Sequence, residues 1–414
     1  MNGGPNQDDI GQRREARLPL LGYRRHDGRK GVRNYLLVAY LVECAHHVAR
    51  AIATPYAKDG AQLIGFPGCY PNAYAQDMME ALCTHPNVGA VLLVSLGCEQ
   101  MNRPKLLEAI ERSGRPVDLL VIQKSGGTKS SIDKGSRWVE ETLDRLGGVP
   151  KVAIDVEDLV IGTECGGSDA LSGITANPSI GAATDRVIDA GGSAIFEELG
   201  ELFGCEDHMA ARAATPELGE AIKAAMAKAW RHYAALDQSS FGGGNITGGL
   251  STIEEKSIGA YAKSGSSPII GMLRPGIKPP KPGLYIMDMI PDDEAKWGFA
   301  NINDNATITE QIACGAQIML FSTGRGSVVG SAIAPVIKIC SNPETYRQLE
   351  ADMDVNAGGI IDQGRAIDEI GGGIFELIQK VAAGQCTKSE ALGHQEFILG
   401  YKSFEPLGPS CLPV

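Results

Sequence analysis

Tyr35-Leu-Leu-Val-Ala-Tyr-Leu41, followed at once by Val42-Glu-Cys44, decides the fold class. Seven apolar residues without polar alternation read as a strand buried on both faces, which is the signature of a parallel sheet covered by helices. The pattern recurs along the first half of the chain. Gln62–Phe66, Val88–Leu96, Val117–Gln123 and Lys151–Val160 read as further strands, separated by helical stretches at Ala45–Ala57, Asp77–Cys83, Arg103–Arg112 and Asp133–Leu146. Beyond the break Gly147-Gly-Val-Pro150 the spacing predicts a helix over Ser179–Ala190, a strand at Ser193–Phe196 and a helix over Thr215–Leu236. After the Pro-rich spacer 278–282 it predicts a strand at Leu284–Met289, a helix near Asn305–Ala313 and a strand at Gln317–Phe321. The expected fold class is therefore α/β, with mostly parallel sheets, helices on both faces, and two or three domains whose site lies at strand carboxyl ends. Residues 1–17 read as a disordered tail, 18–148 as an N-terminal α/β domain and 149–414 as a C-terminal catalytic region with a sub-boundary near 278–283.

Composition narrows the function. A net charge of −12 over 414 residues, with no basic block, disfavours nucleic acid and anionic membranes as partners. No apolar run approaches the roughly 20 residues needed to span a bilayer, and the polar N-terminus lacks a signal core. A soluble, cytoplasmic protein is expected. Glycine is over-represented, 52 of 414 residues against a usual ~7%. In the absence of low-complexity repeats, that implies many tight turns and close backbone approaches, which suits an enzyme with site-forming loops.

Four of the ten cysteines share a position. Cys44, Cys69, Cys98 and Cys165 each follow an apolar strand, at the lip where parallel strands converge. Thiolates arriving from separate strands suit iron, either as Fe2+ or as an iron–sulfur cluster. Single burial as small core residues is the plainer alternative, and it is the expectation for Cys83, Cys205, Cys314, Cys340, Cys386 and Cys411. His46 and Glu99, beside two of these thiols, are candidates for proton transfer.

Three Gly-rich segments complete the set. Gly162-Thr-Glu-Cys-Gly-Gly-Ser-Asp169 runs through Ser172 and Asn177 into an Ala-rich helix and reads as a cradle for a carboxylate, with Ser168, Asp169, Ser172 and Asn177 as binding residues. In Gly244-Asn-Ile-Thr-Gly-Gly-Leu-Ser-Thr-Ile-Glu-Glu-Lys256, Asn245 and Thr252 join the binding set, and Lys256 is a candidate general base if burial lowers its pKa. Phe321-Ser-Thr-Gly-Arg-Gly-Ser327 sets Arg325 between glycines at a strand lip, suited to a bidentate grip on a carboxylate or sulfonate, with Ser327 beside it. HExxH, GxSxG and nucleotide-binding signatures are absent.

Taken together, the stretches GYRRHDGRKGVRNYLLV, VSLGCE, ECGGSDALSGITANPSIGAATD, GNITGGLSTIEEKSIGA, LFSTGRGS and DMDVN, from Gly22 to Asn356, resemble the altronate/galactarate dehydratase family of sugar-acid lyases. The resemblance implies an iron-dependent lyase, with Mn2+ the other metal used in the family, acting on a small hydroxy acid. Dehydratases of the family carry a small antifreeze-like domain ahead of the matched region and a His-containing HGxGC-like segment where this sequence has Gly65-Phe-Pro-Gly-Cys69. Those departures lead us to expect a branch that eliminates bisulfite from a sulfonated lactate, working with a separate small antifreeze-like-domain subunit in an oligomer. A sugar-acid dehydratase and a non-catalytic iron-binding paralogue are the alternatives.

Overall fold

The computed structural model describes residues 20–235, 237, 239–292 and 303–402. The expected tail 1–17, Cys411 and the last residue of the expected helix 215–236 lie outside them.

Strands β1 (Leu20–Arg24) and β2 (Lys30–Gly31) form an antiparallel hairpin. Strands β3 (Tyr35–Tyr40), β4 (Ala61–Gly65), β5 (Val88–Ser95) and β6 (Val117–Val121) build a wholly parallel sheet in the order β4-β3-β5-β6. Strand β7 (Val152–Ile154) returns to pair antiparallel with β1. A second, seven-stranded parallel sheet follows: β8 (Val160–Cys165), β9 (Ser193–Phe196), β10 (Ile269–Leu273), β11 (Gly283–Met287), β12 (Ile318–Thr323), β13 (Val336–Cys340) and β14 (Val355–Asn356). Its order is β10-β11-β9-β8-β12-β13-β14. The α/β fold with mostly parallel sheets is thus as the apolar runs imply.

One expected strand divides. Lys151–Val160 contains β7, then a turn in which Asp155 accepts a hydrogen bond from Val156 N at 2.7 Å while Asp158 accepts one from Asp155 N at 2.9 Å. This reciprocal cap turns the chain, so the apolar residues on its two sides serve different sheets.

Both parallel sheets share a core. Leu37 and Ala39 of β3, and Val91 and Leu93 of β5, pack in one cluster with Ile308 and Ile312 of the helix Asp304–Ala313 and with Met319 and Phe321 of β12. The period of two then sends Ile318 and Leu320 to the opposite face, into the core beneath the helix Ala176–Asp189. Each of these buried Val, Leu, Ile, Met and Phe side chains contributes about 1.5–3 kcal/mol by leaving water.

The conspicuous GYRRHDGRKGVRN stretch joins the halves. Arg33 meets Glu390 through Nε at 2.7 Å and Nη2 at 2.8 Å, and donates Nη1 to Val381 O at 2.9 Å, while the Tyr35 hydroxyl donates to the same carboxylate at 2.6 Å. Lys30 reaches Asp158 at 2.7 Å.

In each parallel sheet the connections run outward in opposite directions from one pair of neighbours: β3 and β5 in the small sheet, β8 and β12 in the large one. Open α/β sheets bind ligands at the carboxyl ends of such a pair.

Candidate functional site

At the carboxyl end of β8 stands Cys165, 5% exposed, and beyond the end of the neighbouring β9 come Glu198 and Glu201. The sulfur and one oxygen of each carboxylate lie within 4.8 Å of one another. Cys165 Sγ is 3.7 Å from Glu198 Oε2 and 3.3 Å from Glu201 Oε2. The other oxygen of each carboxylate is held by a lysine of the helix Ile253–Lys263: Lys256 Nζ lies 2.6 Å from Glu201 Oε1, and Lys263 Nζ is paired with Glu198 Oε1. Lys256 and Lys263 are seven residues apart, two helical turns, and so share one face. Each glutamate therefore spends one oxygen on an ammonium and presents the other beside the thiol.

Burial governs the electrostatics here. It pushes the Cys165 thiol well above its usual range, with Glu198 and Glu201 adding to the effect. The Glu198 carboxyl also rises, because burial outweighs the pull of Lys263. For Glu201 burial is overcome by Lys256 and Lys263, which hold it down to about 2. Glu164 and Glu197 are buried nearby; desolvation raises both, Glu197 to about 8. Glu310, raised by burial, pairs with Lys402 at 2.6 Å and accepts from the Tyr74 hydroxyl. Five carboxylates, Glu164, Glu197, Glu198, Glu201 and Glu310, thus face three lysines, Lys256, Lys263 and Lys402. An excess of acid around one thiol and two oriented carboxylate oxygens suits a divalent cation, and the sulfur favours iron over Mn2+.

Lys256 is buried, as a general base requires, but burial does not decide its state. Desolvation acts to lower its pKa, yet Glu201 and Cys165 raise it above the ordinary value, so beside Glu201 it stands as an ammonium.

The Gly-rich loops lie on the same lip. Gly167 follows β8, and its carbonyl accepts from Gly324 N at 2.9 Å and Arg325 N at 3.0 Å, which lashes the β8 loop to the β12 loop. The Asp169 carboxylate accepts from Ser341 Oγ at 2.7 Å, Ser172 Oγ at 2.9 Å and Asn342 Nδ2 at 3.2 Å, so it fixes the loop to the end of β13. Asn177 donates to Gly259 O at 3.0 Å and binds the helix Ala176–Asp189 to the helix Ile253–Lys263. These helices approach so closely that a Cβ on Gly181 would clash with Ala262 O.

Asn245 donates to Ser168 O at 3.4 Å. Arg325 is exposed and gives Nη1 to Gly244 O at 2.8 Å and to Thr247 Oγ1, while its remaining guanidinium N–H groups make no hydrogen bond among the described residues. Thr252 caps the lysine-bearing helix by accepting from Glu255 N at 3.3 Å, and Ser327 Oγ accepts from Val329 N at 3.1 Å.

The other candidates stand on the small sheet. Cys44, Cys69 and Cys98 follow β3, β4 and β5, and all three are exposed. Among the described residues they form no liganding group of three with each other or with Cys165. His46 lies 3.2 Å from Glu43 and packs on the Tyr40 ring. Burial would raise Glu99, but hydrogen bonds from Ser95 and from Gly97 N at 2.9 Å, with Arg103 nearby, hold it below the usual range. That ionised carboxylate closes its own turn.

Sequence reasoning missed Glu198, Glu201 and Lys263. The signal was present: Glu197-Glu-Leu-Gly-Glu201 follows the apolar run Ser193–Phe196 directly, so the strand-lip rule applied to cysteines finds these acids when applied to carboxylates.

Two family descriptions match the chain, "D-galactarate/Altronate dehydratase, C-terminal" over residues 156–404 and "D-galactarate dehydratase/Altronate hydrolase, second domain" over residues 22–147. The (2R)-sulfolactate sulfo-lyase subunit beta of Chromohalobacter salexigens is 33% identical over 392 residues, covering 92% of this chain and 96% of that protein. The altronate dehydratase of Bacillus subtilis is 29% identical over 398 residues, covering 91% of this chain and 76% of that protein. The galactarate dehydratase (L-threo-forming) of Escherichia coli is 30% identical over 391 residues, covering 88% and 72% respectively. No described helix is long and apolar enough to cross a membrane.

Proposed function

The chain belongs to the D-galactarate/altronate dehydratase family, and from that premise we propose that it is a lyase that eliminates bisulfite from (2R)-3-sulfolactate to leave pyruvate, in the cytoplasm and together with a separate small subunit. The observation that carries the choice is the 33% identity, over 96% of the relative's length, to a sulfo-lyase subunit beta. The relative's being named a subunit supports the partner.

Cys165, Glu198 and Glu201 would hold the metal. Iron held there would supply Lewis-acid charge for the negative charge that develops beside the substrate carboxylate. Lys256 and Lys263 fix the two carboxylates by their second oxygens, a role that orients ligands. Arg325, whose other N–H groups make no hydrogen bond among the described residues, grips the sulfonate or carboxylate, helped by the three segments that carry Ser168, Asn245 and Ser327. Lys256, held as an ammonium by Glu201, serves as the acid that returns a proton to the enolpyruvate, while the α-proton passes to water. The proton α to the carboxylate leaves, the β-carbon–sulfur bond breaks with its electron pair going to sulfur, and the enolpyruvate takes a proton on its β-carbon to become pyruvate.

The test is an anaerobic assay of iron-reconstituted protein, with and without a small antifreeze-like-domain subunit, against (2R)-sulfolactate, altronate and galactarate. Sulfite and pyruvate released from sulfolactate support the reading. A 2-keto-3-deoxy acid from altronate or galactarate, with no sulfite from sulfolactate, assigns the chain to the dehydratase activity of its other relatives.

A further inference from the structure

The amino-terminal ends of the two sheets meet around a second cavity, of about 330 Å³, remote from the lip just described. It opens where Pro86 approaches β5, Val160 begins β8 and Gln317 precedes β12, so the β8–β12 pair runs from this cavity to the metal trio at its other end. The chain as a whole carries −12, yet this place is cationic.

Arg29, Lys30 and Lys278 line the cavity, and Arg25 and Arg115 are buried behind it. Three arginines reach one loop: Arg29 donates to Thr84 O at 2.6 Å, Arg115 to His85 O at 2.9 Å and Arg25 to Pro86 O at 2.6 Å. The partners of Arg25 and Arg115 are neutral oxygens, so their charge is held in place without being cancelled, whereas Arg29 also pairs with Asp27. Among the described residues two carboxylates line the cavity, and both are engaged: Asp27 by Arg29 at 2.6 Å and Asp158 by Lys30 at 2.7 Å. Glu80 acts on Lys278 from further off and is approached by Lys105. Lys278, though its side chain is exposed at the cavity, has no ion-pair partner among the described residues, and partial desolvation together with Arg29 and Arg115 lowers its pKa. Burial chiefly, with Arg115 adding to it, brings Arg25 down to about 9, and burial chiefly, with Arg29 adding to it, brings Arg115 down to about 10. Gly28 and Gly315 also line the space, both at positive φ, and a Cβ built on either meets nothing within 4 Å, which leaves open backbone beside the charges.

We propose that this cavity binds a small multivalent oxyanion, of the size of phosphate or a short dicarboxylate, with Lys278 as the ammonium that closes on it. Five cations against two committed carboxylates give such an anion a net attraction that the acidic remainder of the surface does not. The inference stands apart from the catalytic reading, since the two places lie at opposite ends of the same strands.

Isothermal titration of the full-length, iron-loaded protein with inorganic phosphate, and separately with malonate, at ionic strength fixed with chloride, tests it. The expected result is saturable binding of at least one of the two, weakened at least tenfold in Lys278→Met, kept in Lys278→Arg, and unchanged in Cys165→Ser and in the surface variant Lys129→Met, whose residue is exposed and does not line the cavity. Lys278 is exposed, so its replacement leaves the fold intact. Absence of saturable binding of both probes overturns the proposal, as does binding that Lys278→Met leaves unaltered or that Cys165→Ser abolishes.

Discussion

Two strand lips in this molecule carry cysteines, and they differ in everything except the position of the thiol. On the small sheet Cys44, Cys69 and Cys98 are exposed and form no liganding group with carboxylates among the described residues, and the nearby Glu99 is spent on its own turn. On the large sheet Cys165 is buried, flanked by two glutamates, and those glutamates are steered by two buried lysines. A cysteine at a strand end is therefore an address and no more. What equips a lip for chemistry is the charge the neighbouring strand and helix bring to it, and here β9 and the helix Ile253–Lys263 bring it only to the large sheet.

The sharpest way to break this contrast is to remove the steering charge. Lys263 is 0% exposed and its partner Glu198 is almost as deeply buried, so Lys263→Met leaves an unpaired carboxylate inside the protein. The expected cost is about 3–5 kcal/mol, read as a fall in the thermal midpoint. A variant as stable as the parent shows that Glu198 is neutral there and that the lysine does not hold it. Cys165→Ser tests the thiol itself. It should lower bound iron and cut turnover by more than about a hundredfold with little change in folding, because outer partners of a metal site already contribute about ten- to a hundredfold. Full iron content and turnover in that variant move the metal elsewhere.

How much of this was readable beforehand follows from which forces are local. Apolar runs such as Tyr35–Leu41 and Val88–Leu96 announce buried parallel strands, and the observed β3 and β5 end within a residue of them. The cysteine positions and Gly-rich loops were legible for the same reason, since each is a short-range pattern. The division of Lys151–Val160 was not, because it depends on a cap formed by two aspartates and on a pairing of β7 with β1, which lies far earlier in the chain. Nor was the state of Lys256, where burial and a neighbouring charge pull in opposite directions and Glu201 prevails. GYRRHDGRKGVRN could be matched to a family but not understood, since Arg33 finds Glu390 across 357 positions.

That clasp allows a test of the frame shared by both lips. Burial would raise Glu390, but Arg33, Tyr35 and Thr387 N hold its carboxyl below the usual range. A lowered folded value contributes stability that is present above the unfolded value of about 4.3 and lost as pH falls through the folded one. Stability of the parent should therefore decline in acid from about pH 4 downward, and Glu390→Gln should remove that part of the slope while costing about 2 kcal/mol at neutral pH. An unchanged acid profile in the variant would show that another carboxylate sets it.

The smallest effect is expected where the sequence pattern looked richest. Replacing Cys44, Cys69 and Cys98 together with serine removes three thiols from adjacent strand ends, yet each is exposed and leaves no cavity behind. Stability should change by no more than about 0.5 kcal/mol, and iron per chain should stay at the parent's value, because the carboxylates that complete a site stand on the other lip. Iron falling in the triple variant while Cys165→Ser keeps it would reverse the comparison, and the exposed thiols would then have to draw their remaining ligands from outside this chain.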